Sequence, residues 1–282
     1  MVLFPLVQTP QIQAQTGTVL PPAVDALVKA KDWPRLADLF ETLTPQERGR
    51  HYETWIQALN RARRWERLVE VCEALMPQIE AKSGARLGTY RLYRAQGLSQ
   101  LGRHAEAMTA HAENAALGYP DALVSACAEA RLLQDWASME AYADSLLATN
   151  PKHPEGLAWK GEALARRGDH ERAEPLLRAA LDVDPGRPHT WSNLALCLNH
   201  RKAWTEAEAA LNKALEADPQ LFEARYNRGR TYFELQRYQQ AADDFKAALT
   251  LVPGDAVLQE NLRQAERYLG AEAKGKSQPR KR

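Results

Sequence analysis

Four positions along this chain recur at a spacing of 34 residues. Pro185, Pro219 and Pro253 keep that step, as do Ala173, Ala207 and Ala241, and Ala180, Ala214 and Ala248. Gly161, Ala195 and Gly229 keep it with a small side chain throughout. A unit this short cannot enclose a core of its own. It must bury its apolar face against the next copy, so a fixed period in this range predicts a stacked array, not one closed globule.

The local pattern says what is stacked. Residues 155–167 are helix formers, and Gly168-Asp169 supplies a break and a new helix start. Residues 170–182 form a second helix, which Asp184-Pro185-Gly186 ends because proline lacks the N–H that a continuing helix needs. Each unit is therefore a helical hairpin. Gly161 is expected to face Ala173 and Ala180, since small side chains let two helices approach closely. His170, Trp204 and Tyr238 open each second helix and are read as wedges between hairpins. The same wedge can be followed backward through Trp136, His104, Trp65 and Trp33, at less regular steps.

Residues 188–221 supply Trp191, Leu194, Ala195, Leu198, Ala207, Leu211, Ala214 and Pro219. Residues 222–255 supply Gly229, Tyr232, Ala241, Phe245, Ala248 and Pro253. This pattern resembles the tetratricopeptide repeat family, with Gly161, Ala173, Ala180 and Pro185 as the matching set in residues 154–187. Arg225, Arg228 and Lys160 stand where the family's motif has apolar residues. The resemblance implies an all-α fold: a right-handed superhelical solenoid of stacked antiparallel hairpins.

The expected organisation is a flexible arm or atypical signal over residues 1–21 and degenerate hairpins over 22–153. Three clear repeats follow over 154–255, then a capping helix over 256–270 and a disordered basic tail over 271–282. The first 24 residues carry no charge, and Gln11-Ile12-Gln13-Ala14 loosely resembles the end of a cleavage site. A cytoplasmic location is expected, or an exported, periplasmic one if residues 1–14 are a truncated or atypical signal. No stretch approaches the roughly 18–20 apolar residues that cross a bilayer.

Chemistry is not indicated. There is no GxSxG, no phosphate-binding glycine loop and no HExxH. Cys72, Cys127 and Cys197 are isolated, so neither a disulfide framework nor a zinc site is expected. His104 and His111 lack a third ligand nearby. No catalytic residue, cofactor or metal is assigned, and a non-enzymatic chain is expected.

The resemblance places the first helices on a concave surface, with Trp159, Glu162 and Arg166, then His189, Ser192, Asn193, Leu196, Asn199 and His200, then Glu223, Tyr226, Asn227, Arg230, Phe233 and Glu234 turned into it. Such a mixed surface suits a partner's extended peptide or helix. Trp159, Asn193, Asn199, Tyr226, Asn227, Arg230 and Phe233 are the candidate contacts. Asn193 and Asn227 are equally readable as structural, and Trp159 as packing against the next hairpin. Chaperone-binding members grip a terminal carboxylate with a Lys and an Asn, then an Asn, then a Lys and an Arg. Here those positions hold Ala158 and Glu162, Asn193, then Glu223 and Asn227. One match in five implies that this chain is not a carboxylate-clamp co-chaperone.

Net charge is +1, but residues 48–103 hold 11 Lys/Arg against 5 Asp/Glu. Arg61, Arg63, Arg64 and Arg67, with Arg86, Arg91 and Arg94 and the ring of Trp65, form the alternative: contact with phosphate and a stacked base of RNA. Lys274, Lys276 and Arg280-Lys281-Arg282 would aid either partner.

Overall fold

The computed structural model describes residues 21–80 and 87–276. The expected arm or signal, apart from Pro21, therefore lies outside the described residues, as do Arg86 and residues 277–282 of the basic tail.

All regular structure among the described residues is helical. The helices are α1 (Pro22–Ala30), α2 (Trp33–Thr42), α3 (Pro45–Gly49), α4 (Tyr52–Arg61), α5 (Trp65–Glu80), α6 (Leu87–Gln100), α7 (His104–Ala116), α8 (Ala122–Leu132), α9 (Trp136–Thr149), α10 (Pro154–Arg166), α11 (His170–Val183), α12 (Pro188–His200), α13 (Trp204–Ala217), α14 (Phe222–Glu234), α15 (Tyr238–Leu251) and α16 (Ala256–Lys276). Trp33, Trp65, His104, Trp136, His170, Trp204 and Tyr238 are each the first residue of a helix.

One turn chemistry sets those seven starts. Lys31, Arg63, Gly102, Gln134, Gly168, Lys202 and Gln236 each stand two residues before the helix, in the left-handed region, with φ between 55° and 89°. The next residue's N–H then reaches back to a carbonyl of the helix just ended, as Asp169 does to Leu164 at 2.9 Å and Arg237 to Tyr232 at 2.8 Å. This is a Schellman closure, which satisfies carbonyls that the helix end leaves open. Asp32, Asp135 and Asp169 also cap the new helix by accepting from the N–H three residues on.

Second helices end by another device. Asn150, Asp184 and Asp218 stand extended before a proline, as the proline ring requires. Their side chains accept from the N–H of Lys152, Gly186 and Gln220 at 3.1, 3.1 and 2.9 Å. The aspartate or asparagine and its proline thus make one stop signal.

The chain divides into two compact units at Ala110/His111, within α7. The boundary expected at 153/154 falls inside the second unit, where Gly156 of α10 lies directly against Leu146 and Leu147 of α9. In the first unit, Leu36, Phe40, Trp55, Ile56, Leu59, Leu68 and Tyr90 build one core, and Val69, Leu98 and Ala107 another.

In the second unit α10, α12 and α14 each pack on their own second helix and on the preceding one. Leu164, Leu177, Leu194, Leu198 and Leu211 interlock through the small Ala173, Ala195, Ala207 and Ala214. Gly161 meets Leu177 rather than the two alanines expected: a Cβ there would lie 2.7 Å from that leucine. Gly229 is equally close to Phe245. Tyr232, Ala241, Phe245 and Ala248 then pack with Leu258 and Ala265 of α16.

The last helix is longer than the sequence suggests. The last helix runs to Lys276, six residues past the expected limit of 270, because Ala271-Glu272-Ala273-Lys274 are all strong helix formers. All three cysteines are buried, and burial pushes the thiols of Cys72 and Cys197 up to about 12, so they serve as small apolar groups.

Candidate functional site

Within the second unit the first helices α8, α10, α12 and α14 touch one another in order. The second helices α9, α11, α13 and α15 pack instead on the first helices to either side. Closer spacing of the first helices bends the stack around them, so their free stripe faces its hollow side.

That stripe carries the sequence-predicted residues, and the structure sorts them by what they touch. Asn193 of α12 is buried beside the carboxyl of Glu162 of α10, whose charged form its amide slightly favours. Asn199 Nδ2 donates to Thr231 Oγ1 at 3.0 Å, and that hydroxyl donates to the carbonyl of Asn227 at 2.8 Å. Asn227 Nδ2 approaches Ser192 Oγ at 3.5 Å. The amides of Asn199 and Asn227 hold the neighbouring first helices α12 and α14 in register.

Two of the aromatic candidates are packed within the array. Phe233 lies against Tyr238 at 5.3 Å and against Tyr268 of α16 at 5.4 Å, both edge-on. Tyr226 is stacked on Phe222 at 6.2 Å and tilted against Phe245 at 6.3 Å. Arg230, exposed, lies over the ring of Tyr226 at 5.8 Å. Trp159, half-buried, carries Arg131 over its ring at 5.4 Å, and its buried Nε1 has no hydrogen-bond partner among the described residues. Sequence reasoning did not single out Arg131. The register set by Trp136 would have placed it among the inward positions.

Electrostatics at the middle of the wall are mixed. Burial raises the carboxyl pKa of Glu162, and Arg131 and Arg166 only partly offset this. His189 is exposed, yet desolvation by the surrounding wall lowers its pKa, helped by Arg131 and Arg166 and opposed by Glu223 and Asp218.

The repeat-packing residues hold this wall in place. Trp191 Nε1 donates to the carbonyl of Pro185 at 2.8 Å, and Arg225 makes the equivalent bond to Pro219. At the next departure from the family's motif, Arg228 forms a two-pronged bond to the buried Asp244 at 2.7 and 2.8 Å and reaches Asn212 at 2.8 Å. Lys160, sixteen residues after Asp144, bonds it at 2.6 Å, as Arg228 bonds the residue sixteen before it. A further ladder was missed: Glu140, Glu174 and Glu208, 34 apart, pair with Arg167, Arg201 and Arg237. The glutamate spacing was visible in the sequence, but the last arginine stands two places out of step.

In the first unit the arginines of the basic segment are largely neutralised. Arg64 pairs with Asp38 at 2.7 Å, Arg67 with Glu41 and Glu70 at 2.9 and 2.8 Å, and Arg94 with Glu73 at 2.8 Å. Arg61 lies over Trp33 at 4.3 Å, and Trp65 packs on the core beneath. Arg63 occupies a left-handed turn. Among the described residues this surface offers few free cations to a phosphate backbone, so the RNA alternative gains nothing from the geometry. Among the described residues no three His, Cys, Asp or Glu side chains converge as metal ligands, and no helix is long and apolar enough to cross a membrane.

Residues 129–188, 161–222 and 222–255 match family profiles described as tetratricopeptide repeat. Over 92 residues the chain is 33% identical to the DnaJ homolog subfamily C member 3 homolog of Dictyostelium discoideum, a stretch covering 31% of this chain and 18% of that protein. The fold is similar to that of TTC0263, a thermophilic TPR protein of Thermus thermophilus, at 22% identity and a TM-score of 0.51, covering 64% of this chain and 99% of that one. It is also similar to a chain of the APC/C hetero-tetramer Cut9-Hcn1, at 17% identity and a TM-score of 0.63, covering 86% of this chain and 48% of that one.

Proposed function

Because this chain belongs to the tetratricopeptide repeat family, we propose that its second unit is a protein-binding scaffold whose inner wall of first helices takes an extended segment or a helix of a partner protein. The chain spans under a fifth of the curated relative it matches, so nothing of that protein's wider activity is carried over. The observation that carries the reading is the wall itself. It is held in register by its own amides, while Trp159, His189, Leu196 and Arg230 remain accessible or half-buried along it. A surface already locked in shape loses little entropy when a ligand docks. Its chemistry, aromatic and arginine beside amide and carboxylate, is that of a binding face. The proposal is of a scaffold and not of an enzyme.

Site-specific photocross-linking tests it. A photoreactive residue in place of Leu196, on the inner wall, is expected to capture a discrete partner, identified by mass spectrometry. The same residue in place of Glu216, on the outer helix α13, is expected not to capture it. Equal capture from both places, or capture from Glu216 alone, would reject the groove. Trp159→Ala with Tyr226→Ala is expected to abolish recovery of that partner; unchanged recovery would count equally against it.

A further inference from the structure

Most arginines of residues 111–276 are already engaged. Arg167, Arg178, Arg187, Arg201 and Arg237 each hold a carboxylate of a neighbouring element. Arg131 and Arg230 differ. Each lies over an aromatic ring of the inner wall, Trp159 and Tyr226, and neither has a carboxylate within ion-pair distance among the described residues. A guanidinium laid on a ring keeps its donors in one plane, loses little freedom on binding, and presents the fork that matches a carboxylate.

Resting on the groove proposed above, we infer that the inner wall selects an extended partner segment carrying two acidic side chains, one held by Arg131 and the other by Arg230. The two arginines stand on α8 and α14, with α10 and α12 between them. Three helix-to-helix steps of about 8–10 Å place them about 25 Å apart. An extended chain rises about 3.3 Å per residue, so the two acids are separated by about eight residues. The positions are not those that grip a terminal carboxylate, so the segment need not be a chain end.

The wall's own charges favour single carboxylates over denser anions. Glu162 stands on α10, between the two arginine helices, and Glu223 stands on α14 with Arg230, its charge felt by both Glu162 and His189. A run of phosphates laid along the wall would face both glutamates, whereas two spaced carboxylates meet the guanidiniums and leave the middle to neutral residues. Leu196, half-buried on α12, suits such a middle.

The test uses the full chain and capped twelve-residue peptides of serine and glycine, acetylated and amidated so that no terminal charge remains. One carries glutamate at its second and tenth residues; others carry the pair three residues apart, glutamine in place of both, or lysine in place of both. Affinity is read by fluorescence anisotropy, and the Arg131 and Arg230 Nε–H resonances by NMR. The widely spaced glutamate peptide is expected to bind most tightly and to shift both resonances. Arg131→Gln and Arg230→Gln are each expected to weaken it about tenfold, the size of one charged hydrogen-bonded contact. Arg172→Gln, on the second helix α11, is expected to leave it unchanged.

Equal binding of the glutamine peptide, preference for lysine, or absence of any peptide binding would overturn the inference. So would tighter binding of a doubly phosphorylated peptide or of a ten-residue thymidine strand, which would make the wall a general polyanion site. A partner still captured through Leu196 in those cases would leave the groove standing and reject only its acidic preference.

Discussion

Trp191 and Arg225, one repeat apart, make the same bond: each donates from its side chain to the carbonyl of the proline six residues before it. The indole Nε1 reaches Pro185 at 2.8 Å, and the guanidinium reaches Pro219 at 3.1 Å from Nε and 2.6 Å from Nη2. Arg225 therefore keeps the contact while losing the family's aromatic residue. Arg225→Ala is expected to lower stability by about 1 kcal/mol, the usual net worth of one hydrogen bond. Arg225→Trp is expected to restore it. Urea unfolding of the three proteins checks both, and equal midpoints for the alanine and tryptophan variants would reject the equivalence.

The small residues of the first helices are matched to what they face. A Cβ on Gly229 would stand 2.7 Å from Phe245 Cε1, and one on Gly161 equally close to Leu177. Ala195 fills the same place opposite Leu211 and is fully buried. Gly229→Ala is expected to cost about 1–3 kcal/mol by overpacking. Combined with Phe245→Leu, which rebuilds the Ala195 and Leu211 pair, the alanine should cost clearly less than it does alone. The coupling is read from a thermal-unfolding double-mutant cycle. An additive result would mean that the phenylalanine ring moves aside freely.

The inter-helix turns still carry strain that could be removed. Lys202 and Gln236 hold φ of 62° and 59°, where Gly168 serves the same turn at 89°. Glycine reaches this region without a Cβ clash but makes the unfolded chain freer, so the two effects partly cancel. Lys202→Gly and Gln236→Gly are each expected to raise stability by about 0.5–1 kcal/mol, the lower part of the penalty for a non-glycine residue held in this region. A fall in melting temperature would show that the side chains contribute more than the turn strains.

The fold was more legible than the site, and the reason is physical. Repeat packing depends on local rules that the sequence writes again in each copy: a stop at Asp184-Pro185, a wedge at Trp204, a small residue at Gly161. Even the irregular steps from Trp33 to Trp136 could be followed, because each wedge must open a second helix. The inner wall depends on which side chains meet across separate helices. Phe233 looked free because nothing in its own repeat reveals that Tyr268 of α16 will lie against it. Asn199 looked free because Thr231, 32 residues on, is what it bonds. Arg131 was passed over because its repeat is the degenerate one.

Two buried titratable groups give opposite pH dependences. His111 is 4% exposed, and burial lowers its pKa to about 4 from an ordinary 6.5. Its folded-state value lies below its unfolded one, so its contribution is complete above about pH 6.5. As the pH falls toward 4 the unfolded chain takes up the proton and the folded one does not, and about 3 kcal/mol is lost across that window. Glu162 is also 4% exposed, but burial raises its pKa. Its folded form resists ionisation, so its contribution is present at low pH and declines as the pH rises through the folded value. His111→Leu is expected to flatten the fall in melting temperature between pH 6.5 and 4, whatever its effect at neutral pH. Glu162→Gln, which keeps the shape and removes the ionisable group, is expected to stabilise the protein at pH 8 relative to wild type and to lose that advantage at pH 4. Melting curves across pH 4–8 separate the two. Parallel curves for wild type and His111→Leu would mean that the unfolded chain does not release this histidine to its ordinary pKa.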